Sequence, residues 1–429
     1  MTALATPTVA PSLIDRLNAD CFCIEVDREH LWDEIDRRCG GVVPRAAMTN
    51  LFSTVPVFVS QPDHAAMVAV VAAIEHAVAN PAYRERVLSW APDITRFDPG
   101  PIGVFTGYDF HLTPEGPRLI EVNTNAGGAF LCALASAAQT ACCREVEAAT
   151  GLSPEGDLEA RIVAMFESEW RRQGRTTPLR TIAIVDDDPI DQPLYWEFRL
   201  ARAMFERHGY DAVIADPRDL VHRDGRLWAG DRAIDLVYDR LVDFALAAPE
   251  HRALHDAHLA GDAVVTPAPR AHALYADKRN LVVLSDPQAM AGFGLAPADL
   301  DALGAVPTTV AVTAANAEAL WRDRASYYFK PTGGHAGKAV YRGDKTTRGV
   351  WERIVADGHH VAQRLAVPSR RNVLVDDVPT ERKADIRLYT HAGEILLTAA
   401  RLYRGQTTNF RTLGGGFAPV IVPANHGVP

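Results

Sequence analysis

The sequence predicts a multidomain α/β protein, and three observations carry that expectation. The chain has 429 residues, more than one ordinary core organises. The run TIAIVDDD (181–188) reads as a buried parallel strand ending in acid residues. An amphipathic stretch at about 192–208 follows it, and then a second strand, DAVIADP; strand, helix, strand in that order implies a parallel sheet. Two longer segments, 107–125 and 384–404, alternate polar and apolar residues about a turn and read as hairpins, so antiparallel pairing is also expected.

Composition narrows the class. Hydrophobic residues make up 48% and charged residues 23%, the balance of a soluble globular chain. A net charge of −10 argues against a nucleic-acid partner, whose phosphates need a basic face. No apolar run of about 18 residues is present, so no membrane span is expected. The first residues lack the basic and apolar regions of a secretory signal. The six cysteines show no paired CxxC spacing, which fits a reducing, cytoplasmic setting better than a disulfide framework or a structural zinc site.

Along the chain, residues 62–95 read as helical and 128–150 as a buried helix, with RRQGRTTP as the linker before the parallel unit. That unit continues with a helix ending at Gly209, a hairpin about Asp224-Gly225 and the strand AIDLVYDRL. ADKRNLVVLSD reads as helix, and 325–343 as strand, glycine-rich turn and strand. His251, His255 and His258 share a helical face; without an HExxH pattern they read as an exposed face rather than a zinc site.

The most informative stretch is GYDFHLTPEGPRLIEVNTN (107–125). With Pro114 opening a turn and Gly116 in its left-handed position, Thr113 pairs with Pro117 and Asp109 falls opposite Glu121. Alternation then puts Tyr108, Phe110, Ile120 and Val122 on one face, and Asp109, His111, Glu121 and Asn123 on the other. Crowded carboxylates stay ionised only beside a cation. Oxygen ligands with open positions suit magnesium carrying a nucleotide phosphate, although a solvated hairpin face gives the same pattern.

FKPTGGHAGKAV (329–340) is not a P-loop. It lacks the spacing, the Ser or Thr and the following helix. It reads as a glycine-rich turn whose residues Gly333, Gly334 and Gly337 bring backbone N–H groups near phosphates, with Lys330 at the end of the incoming strand. Lys278 falls on the expected helix 276–286. Asp385 and Arg387 share a strand face with Arg401 nearby, an arrangement able to neutralise a phosphoryl group or to form a surface ion pair. Asn409 lies in a glycine-rich loop. Arg370, Arg371, Arg382 and Lys383 hint at an anionic substrate.

Together these segments resemble the ATP-grasp family. EVNTN with its upstream aspartate resembles the family's magnesium motif, implying Asp109, Glu121 and Asn123 as metal ligands. The segments around Lys278 and Lys330 resemble those carrying the two nucleotide lysines. VAQRL resembles the strand that meets the adenine, near Gln363, and the 384–404 hairpin places Arg401 on the phosphate side. The magnesium hairpin precedes both lysines, the order of circularly permuted members such as glutathionylspermidine synthetase and eukaryotic-type glutathione synthetase. Some members carry an arginine two residues before the metal aspartate, where this chain has Gly107.

The resemblance covers roughly residues 98–420 and leaves 1–97, read as a mostly helical region, unexplained; it implies a permuted ATP-grasp segment at 98–150, a Rossmann-like domain at 178–275 and the nucleotide subdomains at 276–429. It also implies an ATP- and Mg2+-dependent ligase, joining a small-molecule carboxylate to an amine, with Arg401 and Lys330 in catalysis and Arg387 and Asn409 around the nucleotide. The absence of a GxGxxG after TIAIVDDD argues against a dinucleotide oxidoreductase.

Overall fold

A computed structural model describes residues 11–48, 50–141, 158–334 and 339–423. In chain order, helix α1 (Gln61–Ala79) precedes the hairpin β1 (Thr106–Thr113) and β2 (Gly116–Asn123), then helices α2 (Ala129–Ala137) and α3 (Leu158–Arg172). The parallel unit contains β3 (Thr181–Val185), α4 (Tyr195–Arg207), β4 (Asp211–Ala215), β5 (Leu236–Asp239) and β6 (Val264–Thr266). A smaller antiparallel unit follows, with β7 (Thr309–Ala311), β8 (Tyr327–Pro331), β9 (Tyr341–Arg342) and β10 (His360–Arg364). The chain returns through β11 (Ser369–Val375), β12 (Val378–His391), β13 (Glu394–Tyr403) and β14 (Gly416–Ile421).

One seven-stranded sheet organises the molecule. Its order is Val57–Phe58, β14, β13, β12, β1, β2, with β11 paired to the first half of β12. The early hairpin is therefore completed by strands almost 300 residues later, and the N-terminal segment supplies an edge strand and helix α1 rather than a separate domain. The nearly all-apolar α1 starts at Ser60, whose side chain accepts from the Asp63 N–H, a helix cap. It buries Val70, Val71 and Ile74 against Tyr108, Phe110, Val122, Ile386 and Leu388. A second core holds Phe130 of α2, Phe166 of α3 and Phe417 of β14 with Ile182, Ile184 and Tyr238 of the parallel sheet. That sheet has the order β6, β5, β3, β4, all parallel, as the strand–helix–strand pattern predicts.

Several local expectations hold. The turns at Asp224-Gly225 and Ala392-Gly393 join paired strands, and Gly209 takes a positive φ of 87° just after α4. Others are corrected. The first hairpin turns in two residues, pairing Thr113 with Gly116 rather than Pro117, and a bulge between Asp109 and Phe110 then restores Asp109 opposite Glu121. The bulge adds one residue to β2, so Leu119 takes the core position and Ile120 faces the site cavity.

Lys278 precedes its helix (Asn280–Leu284) instead of lying on it; Asp277 accepts from the Arg279 N–H and holds the turn. His251 and His258 are buried, not exposed. His251 sits between Asp187 and Asp243 at 3.0 and 2.8 Å, and His258 packs edge-on against Phe97. Among the described residues no single helix is long and apolar enough to cross a membrane.

Candidate functional site

The polar residues of β1, β2, β12 and β13 form one cluster because strand pairing stacks them. Cross-strand register sets Glu121 and Arg387 on either side of Asp109, and Arg401 opposite Asp385. Asp109 is 2% exposed. Its Oδ1 accepts from Arg387 Nε at 2.5 Å, and its Oδ2 from Arg387 at 2.7 Å, Arg401 at 2.8 Å and Asn123 Nδ2 at 3.1 Å. Burial disfavours its charge, but the two guanidiniums outweigh burial and hold its carboxyl below the ordinary range. Asp109, expected as a metal ligand, is thus committed to two arginines, which come from strands far away in sequence. Arg401 also donates to Asp385 at 2.8 Å, and Thr408 donates to the other Asp385 oxygen.

Glu121 is less committed. It accepts from Asn123 Nδ2 at 3.3 Å and lies 3.8 Å from Lys278 Nζ. Lys278 and Lys330 together overcome the effect of burial and lower its titration. Lys330 enters from β8 and is 4% exposed. Its Nζ donates to Ile120 O at 3.0 Å and to Gln363 Oε1 at 2.6 Å, and burial pulls its ammonium down to about 8 despite the nearby Glu121. Lys278 Nζ donates to Gly334 O at 3.1 Å, so the glycine-rich turn touches the cluster through its backbone.

Asp109, Glu121, Lys330, Gln363, Asp385 and Arg401 border a cavity of about 280 Å³, enclosed also by His111, Tyr328, Tyr403, Thr407, Thr408 and Phe410. None of those six is assigned to a site from sequence; strand alternation puts His111 on the polar hairpin face, but the other five come from three further segments that no local pattern marks. Gln363 is brought in as expected, but through its side chain: Oε1 holds Lys330 while Nε2 is buried without a partner. Asn409 is not brought in. It ties its own loop, donating to Arg404 O at 2.9 Å and accepting from Thr412 Oγ1 at 2.9 Å. Gly333 has open space around it, and Gly337 lies outside the described residues. At Gly107, an added Cβ would stand 2.6 Å from Ala126 Cβ and 3.2 Å from Arg387 Nε; Arg387 fills the space above that glycine.

The four basic residues 370–383 turn elsewhere. Arg371 is fully buried, donating to the carbonyls of Pro56 and Asn18 at 2.8 and 2.9 Å. Arg382 holds Leu413 O, Arg370 meets Glu381, and Lys383 donates to Gly405 O. They fasten loops and the N-terminal helix to the sheet.

A second polar group stands at the carboxyl ends of β3 and β5. Burial pushes Asp186 up to about 7 and Asp239 up to about 8, with Asp186 adding to the rise at Asp239. A carboxyl whose folded pKa lies above its unfolded value binds protons more tightly when folded, so its contribution to stability is present at acid pH and is lost between about 4 and about 8. Asp239→Asn is therefore expected to be more stable than the parent at alkaline pH by on the order of a few kcal/mol, and nearly equal to it at about pH 4. Urea unfolding across that range checks this; an unchanged pH slope contradicts it.

No family model matches the chain, and no curated protein matches it. Solved structures do, among them these three. The glutathione synthetase like-effector GSS30 from Globodera pallida, in apo form, overlays with a TM-score of 0.52 at 14% identity, covering 92% of this chain and 98% of that one. A chain from Methylobacillus flagellatus KT, provisionally named a γ-glutamylcysteine synthetase, gives 0.46 at 11% over 83% and 87%. The ATP-grasp ligase PsnB, complexed with a phosphomimetic variant of its minimal precursor, Mg and ADP, gives 0.27 at 16% over 58% and 89%. The last two overlay too loosely to carry an argument. The first shows that the α/β fold of this chain is shared along nearly its whole length with that glutathione synthetase-like effector.

Proposed function

We propose that this chain is an ATP- and magnesium-dependent ligase that joins a carboxylate to an amine, built on a circularly permuted ATP-grasp fold. One observation carries the reading. Lys330 and Arg401 line, from two separate segments, the cavity that Glu121 borders, Lys278 Nζ stands 3.8 Å from Glu121, and the buried Nε2 of Gln363 in the cavity wall has no partner among the described residues. A polyphosphate and a base supply acceptors for all of them. The order of the segments, with the Glu121 hairpin before both lysines, supports the permutation.

Glu121 and the amide oxygen of Asn123 are hard donors suited to magnesium, with Asp109 as the charge that orients the arginines behind them. Magnesium, when bound, spreads the charge of the β- and γ-phosphate oxygens. Lys278, Lys330 and Arg401 neutralise and position the phosphates. A substrate carboxylate oxygen attacks the γ-phosphorus, the bond to the bridging oxygen breaks and ADP leaves with the electron pair. The amine nitrogen then attacks the acyl carbon, the C–O bond to phosphate breaks, and the amine proton passes to solvent.

A second reading, a nucleotide-binding protein without ligase activity, has its own support: Asp109 takes the Nε–H and an Nη2–H of Arg387, so that side-on donor pair is not offered to a substrate carboxylate. ADP release measured over pools of amino acids, peptides and polyamines separates the two. Release that requires both a carboxylate and an amine supports the ligase; release indifferent to both, or none, removes it.

A further inference from the structure

The cluster around Glu121 contains a competition that the proposed nucleotide reading, on which this rests, does not by itself require. Glu121 is the carboxylate of the cluster that no arginine holds. Both Asp109 oxygens are taken by Arg387, Arg401 and Asn123, and both Asp385 oxygens by Arg401 and Thr408. The cation facing Glu121 is Lys278, 3.8 Å away, on a side chain only 9% exposed.

The two lysines are held differently. Lys330 is fixed by two oxygens unrelated to Glu121, Ile120 O and Gln363 Oε1. Among the described residues Lys278 Nζ makes one hydrogen bond, to Gly334 O at 3.1 Å, and its chain has four carbons of freedom. A divalent cation on Glu121 would stand beside this ammonium, and in a partly buried site like charges repel strongly. The four cations Lys278, Lys330, Arg387 and Arg401 outnumber the carboxylates Asp109, Glu121 and Asp385, so the charge of the cluster favours an anion before a cation.

We infer that Lys278 is a positioning residue that keeps divalent cations off Glu121 until a polyphosphate draws its ammonium away, so that the cation joins only with, or after, the nucleotide.

Mn2+ binding to the full chain, followed by electron paramagnetic resonance without nucleotide, tests this. The parent is expected to bind Mn2+ at least tenfold more weakly than Lys278→Met, which keeps the length of the side chain but not the charge. Lys278→Arg is expected to stay as weak as the parent, and Lys278→Met combined with Glu121→Gln to lose the gain. Equal affinity of parent and Lys278→Met overturns the inference. If Lys278→Met does not fold, the parent alone decides: Mn2+ binding as tight without nucleotide as with the imido-bridged ATP analogue overturns it, and weaker binding without nucleotide upholds it. Titration of the analogue in the presence of EDTA reads the nucleotide site separately. Nucleotide binding without the Lys278→Met gain removes this inference alone; the gain without nucleotide binding removes the nucleotide reading and leaves Lys278 guarding Glu121.

Discussion

Glu121→Ala is expected to lower ADP release roughly 100- to 1,000-fold, the scale lost when a main electrostatic stabiliser is taken from a transition state. The fold should survive, because Glu121 is 31% exposed at its side chain and accepts only one long hydrogen bond. The variant also leaves Lys278 and Lys330 facing one another without their shared counter-charge. Nucleotide affinity measured without magnesium should therefore rise or hold while turnover collapses. Single-turnover kinetics beside calorimetric titration separate the two effects. A variant with near-parental turnover would place the cation elsewhere.

Asp109→Asn is expected to act on stability. It removes the buried anion between two buried guanidiniums, and breaking a buried pair by losing one partner costs about 3–5 kcal/mol. Asparagine keeps the size of the side chain, so the cost reports charge rather than a cavity. A double-mutant cycle with Arg387→Met should show coupling of about 0.5–3 kcal/mol, because the second change removes one of the stranded cations. Urea unfolding measures both. If Asp109→Asn unfolds like the parent, the carboxylate is not the anchor of the two arginines, and its role as a direct cation ligand returns.

Most of the architecture is legible in the sequence because it depends on local periodicity. The apolar run at 181–185, the turn glycines Gly225 and Gly393, and the alternation in 384–404 each fix an element within a few residues. A two-residue turn stands where the sequence predicts a three-residue one, and a bulge restores the predicted opposition of Asp109 and Glu121. A bulge has no sequence marker here, since Leu119 and Ile120 are equally apolar and either could take the core position. What was not legible is long-range. Nothing local shows that Arg387 would lie on Asp109, 278 residues away, that Asn409 would spend its amide on its own loop, or that Arg371 would be buried against the carbonyls of Pro56 and Asn18. Charged residues read as solvated by default, and burial reverses that reading only when distant strands supply partners. The buried Asp186 and Asp239 are an intermediate case: acids directly following buried strands are a visible signal, but their depth is set by packing.

Calorimetric titration of ATP with magnesium into the parent chain and into Lys330→Met tests the central assignment most directly. The account predicts one ATP per chain for the parent and at least a tenfold loss of affinity in the variant, because Lys330 projects into the cavity from β8 and is held there by Gln363. No saturable binding to the parent, or equal affinity in the two proteins, would contradict it.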